Sequence, residues 1–228
     1  MKLCVALDLP TYEQNIALAY ELKEFDIWLK VGFRSYIRDG KKILQEIKTI
    51  NPNFKIFLDL KLYDIPNTMA DASLEIAKLD IDMFNIHASS GIEAMQAVMK
   101  RLKEIKTPPI VLAVTALTSF NDESFQHIYE KPIEEKALQF AKDAYSSGIN
   151  GVVCSAYESS LIKTHTNNTF LTLTPGIRPF KEDSGDQKRV ADIPFAKKKL
   201  VDFIVVGRPI YQSKTPKEIT QKILSNLL

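Results

Sequence analysis

The sequence has few of the residues on which disulfide-bonded, metal-binding and membrane proteins depend. Its 228 residues include 2 cysteines, 3 histidines and 1 tryptophan. Cys4 and Cys154 lie far apart in apolar segments, which favours buried, reduced thiols over a disulfide. No Cys/His spacing resembles a zinc site. No apolar run approaches the roughly 18 residues that a transmembrane helix requires, so we expect no membrane partner.

The sequence also has little excess of charge of either sign. There are 30 Lys and Arg against 28 Asp and Glu, which leaves a net charge of +2. So balanced a chain argues against a nucleic-acid partner. The first apolar stretch is interrupted by Asp8 and closed by Pro10, so it is too short for a secretory signal. With 45% hydrophobic and 25% charged residues, the sequence predicts a globular protein, and we expect it in the cytoplasm.

Eight short runs are almost continuously apolar, as is typical of parallel strands that are covered on both faces. They are Leu3–Leu9, Trp28–Gly32, Lys55–Lys61, Met83–Ala88, Ile110–Ala116, Gly151–Ala156, Phe170–Pro175 and Phe203–Gly207. Segments between them show helical periodicity, namely Tyr12–Phe25, Gly40–Ile50, Thr68–Leu79, Ile92–Ile105, Ile133–Ser147 and Lys217–Leu227. Asn67 and Thr215 are predicted to be helix N-caps, the latter before Pro216.

Eight strand–helix units without a break in composition predict an α/β fold, a (β/α)₈ TIM barrel, with residues 1–228 as a single domain. The alternative is a doubly wound open sheet, which would favour a glycine-rich turn after the first strand. That turn is Asp8-Leu9-Pro10-Thr11 and contains no glycine. The long polar connection Phe180–Asp192 follows the seventh strand, where we expect a mobile loop over the active site.

Charged residues stand at the carboxyl ends of the first three predicted strands, where such barrels carry their chemistry. Asp8 closes the first strand, Lys30 lies near the end of the second, and Asp59 and Lys61 finish the third. The two-residue offset places Asp59 and Lys61 on one strand face. An array of alternating sign can satisfy itself where an isolated buried charge cannot. Asp64 lies beyond the strand, in a loop stiffened by Pro66, and need not face the same cavity.

The last two strands end in sequences suited to a phosphate. The segments LTPGIRP (173–179) and VVGRPI (205–210) each place a glycine just after a strand, where the backbone can approach an anion. The loops after strands seven and eight are the usual phosphate site of such barrels. Arg208, beside Gly207, is the stronger candidate for a bidentate contact, and Arg178 is the weaker one. His87 is expected to be a packed or rim histidine.

The segment DLKLYDIPNT (59–68) resembles the DxKxxDIPNT signature of the orotidine 5′-phosphate decarboxylase family. VALDLP, LKVG, AVTALTS, PGIRP, DQKRV and VVGRPI also look like that family, in its order, over nearly the whole chain. The resemblance implies conversion of orotidine 5′-monophosphate to uridine 5′-monophosphate and CO₂ in de novo pyrimidine synthesis. No metal, flavin or pyridoxal motif occurs, so the expected enzyme works without a cofactor.

Roles follow from the resemblance residue by residue. Lys61 matches the proton donor within a network of Lys30, Asp59, Lys61 and Asp64, and Asp59 would lie near the substrate carboxylate. Asp64 and Thr68 would be contributed across a homodimer interface. The remaining substrate contacts are Asp8 and Lys30 to ribose hydroxyls, Thr118 and Gln187 to the base and phosphate ends, and Arg178, Gly207 and Arg208 to the phosphate.

Two other functions remain open from the residues alone. One is a decarboxylase or synthase of the same barrel superfamily that acts on a keto-sugar phosphate, usually with Mg²⁺. It would keep Asp8, Asp59, Lys61 and Asp64 but not the IPNT continuation. The other is a barrel that binds a phosphorylated ligand without catalysis, which would leave the charged strand ends without a chemical role.

Overall fold

A computed structural model of the chain describes residues 1–180, 183, 185 and 188–227. Its eight strands are all parallel and pair in chain order into one closed barrel. They are β1 (Lys2–Ala6), β2 (Trp28–Gly32), β3 (Lys55–Leu62), β4 (Met83–His87), β5 (Ile110–Val114), β6 (Gly151–Val153), β7 (Leu171–Thr174) and β8 (Phe203–Val206). Because β1 pairs with β8, the predicted barrel is confirmed and the open sheet is excluded.

Helices cover the outside of the barrel. The long ones match the predicted periodic segments: α1 (Tyr12–Glu21), α3 (Lys41–Ile50), α4 (Pro66–Ala77), α5 (Ile92–Leu102), α7 (Ile133–Ser146) and α11 (Pro216–Leu227). Five more were not predicted: α2 (Phe33–Asp39), α6 (Asp122–Tyr129), α8 (Ala156–His165), α9 (Ile193–Lys198) and α10 (Arg208–Tyr211). A 3₁₀ turn spans Ala88–Ser90. No helix in the described part of the chain is long and apolar enough to cross a membrane.

Two sequence-based boundaries were wrong for local reasons. Asn67 is not an N-cap, because α4 already begins at Pro66, after Ile65 in extended conformation. Proline fits the first helical position, since its fixed φ is helical and its missing N–H would be unpaired there. The sixth predicted strand also extends too far. Ser155 caps α8 in a capping box with Glu158, so the strand ends at Val153 and the apolar run continues into a helix.

Most predicted strands overrun the observed ones by one to three residues at the carboxyl end. There the chain leaves the barrel wall, and after β4 and β6 it soon becomes helical, at Ala88 and Ala156. Asp8 therefore lies in the loop after β1 rather than on the strand, although the Leu7 N–H still donates to the Lys30 carbonyl at 2.9 Å. The charged side chain is thus carried above the sheet, toward the opening.

The core has two parts, one between strands and helices and one inside the barrel. Inside, Trp28 and Phe203 pack edge to face with ring centroids 5.2 Å apart. Phe57, Leu112 and other apolar side chains fill the space above them. Both cysteines are buried and free, as predicted. Because side chains fill the interior, the space left for a ligand is the opening at the carboxyl ends of the strands.

Candidate active site

A cavity of about 460 Å³ opens at the carboxyl ends of the strands. Its floor is apolar, formed by barrel-interior side chains such as Phe57, Val114 and Val205. Eight of the residues predicted for the site line it: Asp8, Lys30, Asp59, Lys61, Thr118, Arg178, Gly207 and Arg208. The barrel therefore brings the charges of β1–β3 and the basic residues after β7 and β8 into one opening.

The charges after β1 and on β2 and β3 form one chain of alternating sign. Lys30 Nζ lies 3.2 Å from Asp8 Oδ2 and 3.3 Å from Asp59 Oδ2. Asp59 Oδ1 in turn accepts from Lys61 Nζ at 2.6 Å. Asp59 and Lys30 are mostly buried, with 11% and 12% of their side chains exposed, whereas Lys61 is 26% exposed. Lys61 is thus the cation of the array that reaches furthest toward the cavity.

The neighbours of Asp59 keep it ionised although it is buried. Burial alone would raise its pKa, but Lys30, Lys61 and two hydrogen bonds outweigh that effect and lower the pKa to about 2. Burial acts on Lys30 in the opposite direction, and the carboxylates of Asp59 and Asp8 leave its pKa above the usual value for lysine. Both groups therefore carry full charge at neutral pH, before any ligand enters.

Gly32, at the end of β2, makes room for this array. A Cβ placed on Gly32 would stand 3.1 Å from Lys30 Nζ and 3.2 Å from Asp8 Oδ1. Those distances are tighter than side-chain atoms normally adopt. A larger residue here would push the Asp8–Lys30 pair apart. Glycine at position 32 therefore leaves the space that this ion pair needs.

The strand that carries Asp59 and Lys61 is bulged between them. Leu58 pairs with Phe84 and Leu62 with Ile86, so the three residues 59–61 of β3 face the single residue Asn85 of β4. Lys61 has a φ of +50°, in the left-handed region that non-glycine residues seldom adopt. The side chains of Asp59 and Lys61 do meet, as the two-residue offset predicts, but a bulge rather than a regular strand brings them together.

Asn85 was missed by the sequence analysis. Its side chain is fully buried, donates to Asp59 Oδ1 at 2.8 Å and accepts from the Lys61 N–H at 2.8 Å. The available signal was an asparagine inside the otherwise apolar run Met83–Ile86. Its neighbour His87 lies on the rim as expected, half-buried, with its ring edge to face on Tyr63. Burial, and next the charge of Lys61, lowers the pKa of His87.

Two arginines that follow β7 and β8 also line the cavity. Arg178 is 6% exposed, and its Nε donates to the Asp183 carbonyl at 2.7 Å. Arg208 follows Gly207 directly, at the start of α10. Gly185 has a φ of +60°, and a Cβ there would overlap the Arg208 guanidinium. Both predicted arginines thus line the cavity, and the chain after β7 packs closely against Arg208.

The chain after β7 also contacts the part of the cavity wall that follows β5. The Lys188 N–H donates to the Thr118 carbonyl at 3.1 Å, which joins the connection after β7 to the loop after β5. Gln187 lies outside the described residues, as do residues 181, 182, 184 and 186 of the predicted mobile loop. Ser119 and Tyr211 also line the cavity and were not predicted to do so.

Asp64 and Thr68 do not line the cavity of their own chain. Both are exposed, and Asp64 Oδ1 accepts a hydrogen bond from the Ile65 N–H at 2.7 Å. Large apolar side chains nearby are also exposed: 64% of Tyr63 and 66% of Ile65. Within the described residues, no group of three or more His, Cys, Asp or Glu side chains is arranged to hold a metal ion.

Comparison with known proteins points to one family. The family model described as "Orotidine 5′-phosphate decarboxylase / HUMPS family" matches residues 1–223. The chain is 69% identical over 227 residues to an orotidine 5′-phosphate decarboxylase of Nitratiruptor sp. and 59% identical over 227 residues to one of Campylobacter jejuni subsp. jejuni, with 100% of each chain covered. The crystal structure of orotidine 5′-phosphate decarboxylase from Lactobacillus acidophilus matches with a TM-score of 0.86 and 33% identity, over 99% of this chain and 98% of that one.

Proposed function

The chain belongs to the orotidine 5′-phosphate decarboxylase / HUMPS family, and we propose that it converts orotidine 5′-phosphate to uridine 5′-phosphate and CO₂. The observation that carries this proposal is the set of charged side chains that line one cavity. This cavity is lined by the Asp8–Lys30–Asp59–Lys61 array, which comes from β1–β3, and by two arginines, which follow β7 and β8. Such a cavity suits a ligand with a reacting carboxylate at one end and a phosphate at the other.

The charge array supplies what this decarboxylation needs. Loss of CO₂ from C6 of the pyrimidine leaves an electron pair in the plane of the ring, where no carbonyl can delocalise it as an enolate. Charges that are fixed in place before the reaction stabilise such an anion without reorganisation. In our proposal the Lys61 ammonium stabilises the developing charge at C6 and then donates its proton there, forming the new C–H bond.

Asp59 has two parts in this mechanism. It holds the Lys61 ammonium at 2.6 Å, and it would face the substrate carboxylate, a repulsion that is relieved when CO₂ leaves. Asp8 and Lys30 would bind the ribose hydroxyls, and Thr118 with Gln187 the base and phosphate ends. These roles need no cofactor, so we expect turnover without added metal.

The phosphate end is far from the reacting carbon and serves binding. Arg208 and Arg178, with the backbone after Gly207, would hold the phosphate. The binding energy of a remote group of this kind can orient the ring over Lys61 and lower the barrier.

We further propose that the active unit is a homodimer. Asp64 and Thr68 are exposed and do not line their own cavity, and the exposed apolar residues Tyr63 and Ile65 flank Asp64 in the chain. A second copy that covered this surface would bury the apolar groups, and Asp64 and Thr68 would reach the partner's site by two-fold symmetry. We take residues 1–228 as one domain of this dimer, which would supply uridine 5′-phosphate for pyrimidine synthesis in the cytoplasm.

The test is the ultraviolet absorbance of orotidine 5′-phosphate incubated with the purified protein after treatment with EDTA. We expect the substrate absorbance to be lost, with uridine 5′-phosphate as the product. If no substrate were consumed, the proposal would be wrong. If orotidine 5′-phosphate were consumed only on addition of Mg²⁺, the cofactor-free mechanism would fail.

A further inference from the structure

We propose that Asn85 is a positioning residue that sets the place of the Lys61 ammonium relative to Asp59, an inference that rests on the proposed decarboxylase function. Asn85 is absent from the cavity wall, so it does not meet the substrate itself. It touches both members of the pair that the mechanism uses, through two hydrogen bonds of 2.8 Å.

The two bonds can have only one orientation. The Lys61 backbone N–H is a donor, so it must meet the amide oxygen of Asn85. The ionised Asp59 carboxylate is an acceptor, so it must meet the amide nitrogen. Among the uncharged side chains, only asparagine and glutamine carry both groups on one planar head, and glutamine is longer by one methylene. Both the amide group and the length of the asparagine side chain are therefore needed to form the two hydrogen bonds.

The bulge explains why an asparagine is needed here. In a regular parallel ladder the backbone of β4 would accept the N–H of β3, but residues 59–61 face Asn85 alone and are displaced from that ladder. The Asn85 side chain accepts the Lys61 N–H in its place. Lys61 also holds a left-handed φ of +50°, a conformation that is unfavourable for a residue with a side chain. Surrounding contacts must therefore hold that conformation.

A buried asparagine could also be purely structural, and the two roles predict different losses. A structural residue would change folding stability and the affinity of the whole cavity. A positioning residue acts through Lys61 and Asp59, so its removal should lower kcat and leave the binding of uridine 5′-phosphate nearly intact. The proposed phosphate and base contacts come from the segments after β5, β7 and β8, whereas the two hydrogen bonds of Asn85 go to β3.

The variants Asn85→Leu and Asn85→Asp separate these cases. Leucine keeps roughly the volume and removes both hydrogen bonds. Aspartate keeps an acceptor for the Lys61 N–H but puts a second carboxylate against Asp59. Two carboxylates in hydrogen-bond contact share one proton, and while the proton is present the pair reproduces the donor that Asn85 supplied. Met83→Leu is the matched control, because Met83 is buried in the barrel interior on the same strand, two residues earlier.

The titratable groups around position 85 come from three strands. Lys30 on β2, Asp59 and Lys61 on β3 and His87 on β4 face this region, and the paired residue of β5 is Leu112. His87 is present in wild type and variant alike, so the ratio of their kcat values reduces its contribution. The ratio for Asn85→Asp should fall as pH rises and the shared proton is lost.

The measurements are kcat, KM, the Kd of uridine 5′-phosphate and thermal unfolding for wild type and the three variants. We expect Asn85→Leu to lose about 10- to 100-fold in kcat, the range for a lost hydrogen bond to a charged group, with Kd changed less than about 3-fold. For Asn85→Asp we expect the kcat ratio to wild type to fall at least about 10-fold between about pH 5.5 and pH 8.5. Met83→Leu should stay near wild type.

Three results would overturn the proposal: near-wild-type kcat in both Asn85 variants, a loss of kcat matched by an equal loss of product affinity, or a pH-independent ratio for Asn85→Asp. If Asn85→Leu does not fold, the pH dependence of Asn85→Asp decides alone. Failure of the proposed function is distinct, because the wild-type protein itself would then show no turnover.

Discussion

Protonation of Asp59 should destabilise the folded protein by an amount that the structure sets. Its pKa is lowered from the usual 3.8 to about 2 in the folded state, because Lys30 and Lys61 outweigh the cost of burial. A depressed carboxylate pKa gives stability that is fully present above the unfolded pKa and is lost as pH falls through the folded one. The difference corresponds to about 2 kcal/mol in total, of which about 1 kcal/mol is lost by about pH 3.

The variant Asp59→Asn isolates this contribution, because asparagine has no proton to gain in that range. The free energy of unfolding from urea titrations at about pH 7 and about pH 3 should fall by about 1 kcal/mol more in wild type than in Asp59→Asn. Lysine side chains do not ordinarily titrate between about pH 3 and about pH 7, so the paired ammonium groups add no slope of their own. Asp122→Asn, which changes an exposed carboxylate at the start of α6, serves as the control and should follow wild type.

Equal pH slopes in wild type and Asp59→Asn would refute the reasoning. That result would mean that Asp59 has the same pKa folded and unfolded, and hence that the two ammonium groups do not hold it ionised. A steeper slope in the variant would contradict the sign of the shift. Either result would also undermine the mechanism, which needs a charged Asp59 beside Lys61.

Three further changes test other parts of the site. Arg208→Ala should lower kcat/KM by a factor that corresponds to about 2–3 kcal/mol, because a charge-assisted contact is lost. The penalty should nearly vanish with orotidine, which lacks the phosphate. An equal penalty on both substrates would show that Arg208 does not contact the phosphate. Gly185→Ala should raise KM for the nucleotide, because its Cβ would overlap the Arg208 guanidinium, and an unchanged KM would contradict that packing. Co-refolding inactive Lys61→Ala with inactive Asp64→Asn should return roughly a quarter of wild-type activity, since half the dimers are hybrids with one intact site of two; no recovery despite subunit exchange would place Asp64 in its own chain's site.

The barrel and most of its site could be predicted from the sequence. Strands covered on both faces are apolar throughout, so eight such runs mark eight strands, and charges at their ends stand out against them. Short helices such as α9 and α10 escaped because four to six residues are too few to show a period. The carboxyl ends of the strands were overestimated because residues that follow them, such as Leu7 and Ala116, are apolar too.

What could not be predicted depends on contacts between distant parts of the chain. Asn85 acquires its role only where β4 meets the bulge of β3, and periodicity does not reveal that register. The sequence singled out Asp64 and Thr68 by resemblance alone, and the single chain leaves both exposed. Their proposed role depends on a second copy, which no pattern within one chain can position.

The most direct test of the central claim is the turnover of Lys61→Ala. Lys61 is the cation that Asp59 holds at the cavity, and in our account it is the source of the C6 proton. The measurement is decarboxylation of orotidine 5′-phosphate by this variant, with its unfolding transition and its affinity for uridine 5′-phosphate determined on the same sample. We predict a folded protein that still binds the product and shows no detectable turnover. Retention of more than about a few per cent of wild-type activity would contradict the assignment of Lys61 as proton donor.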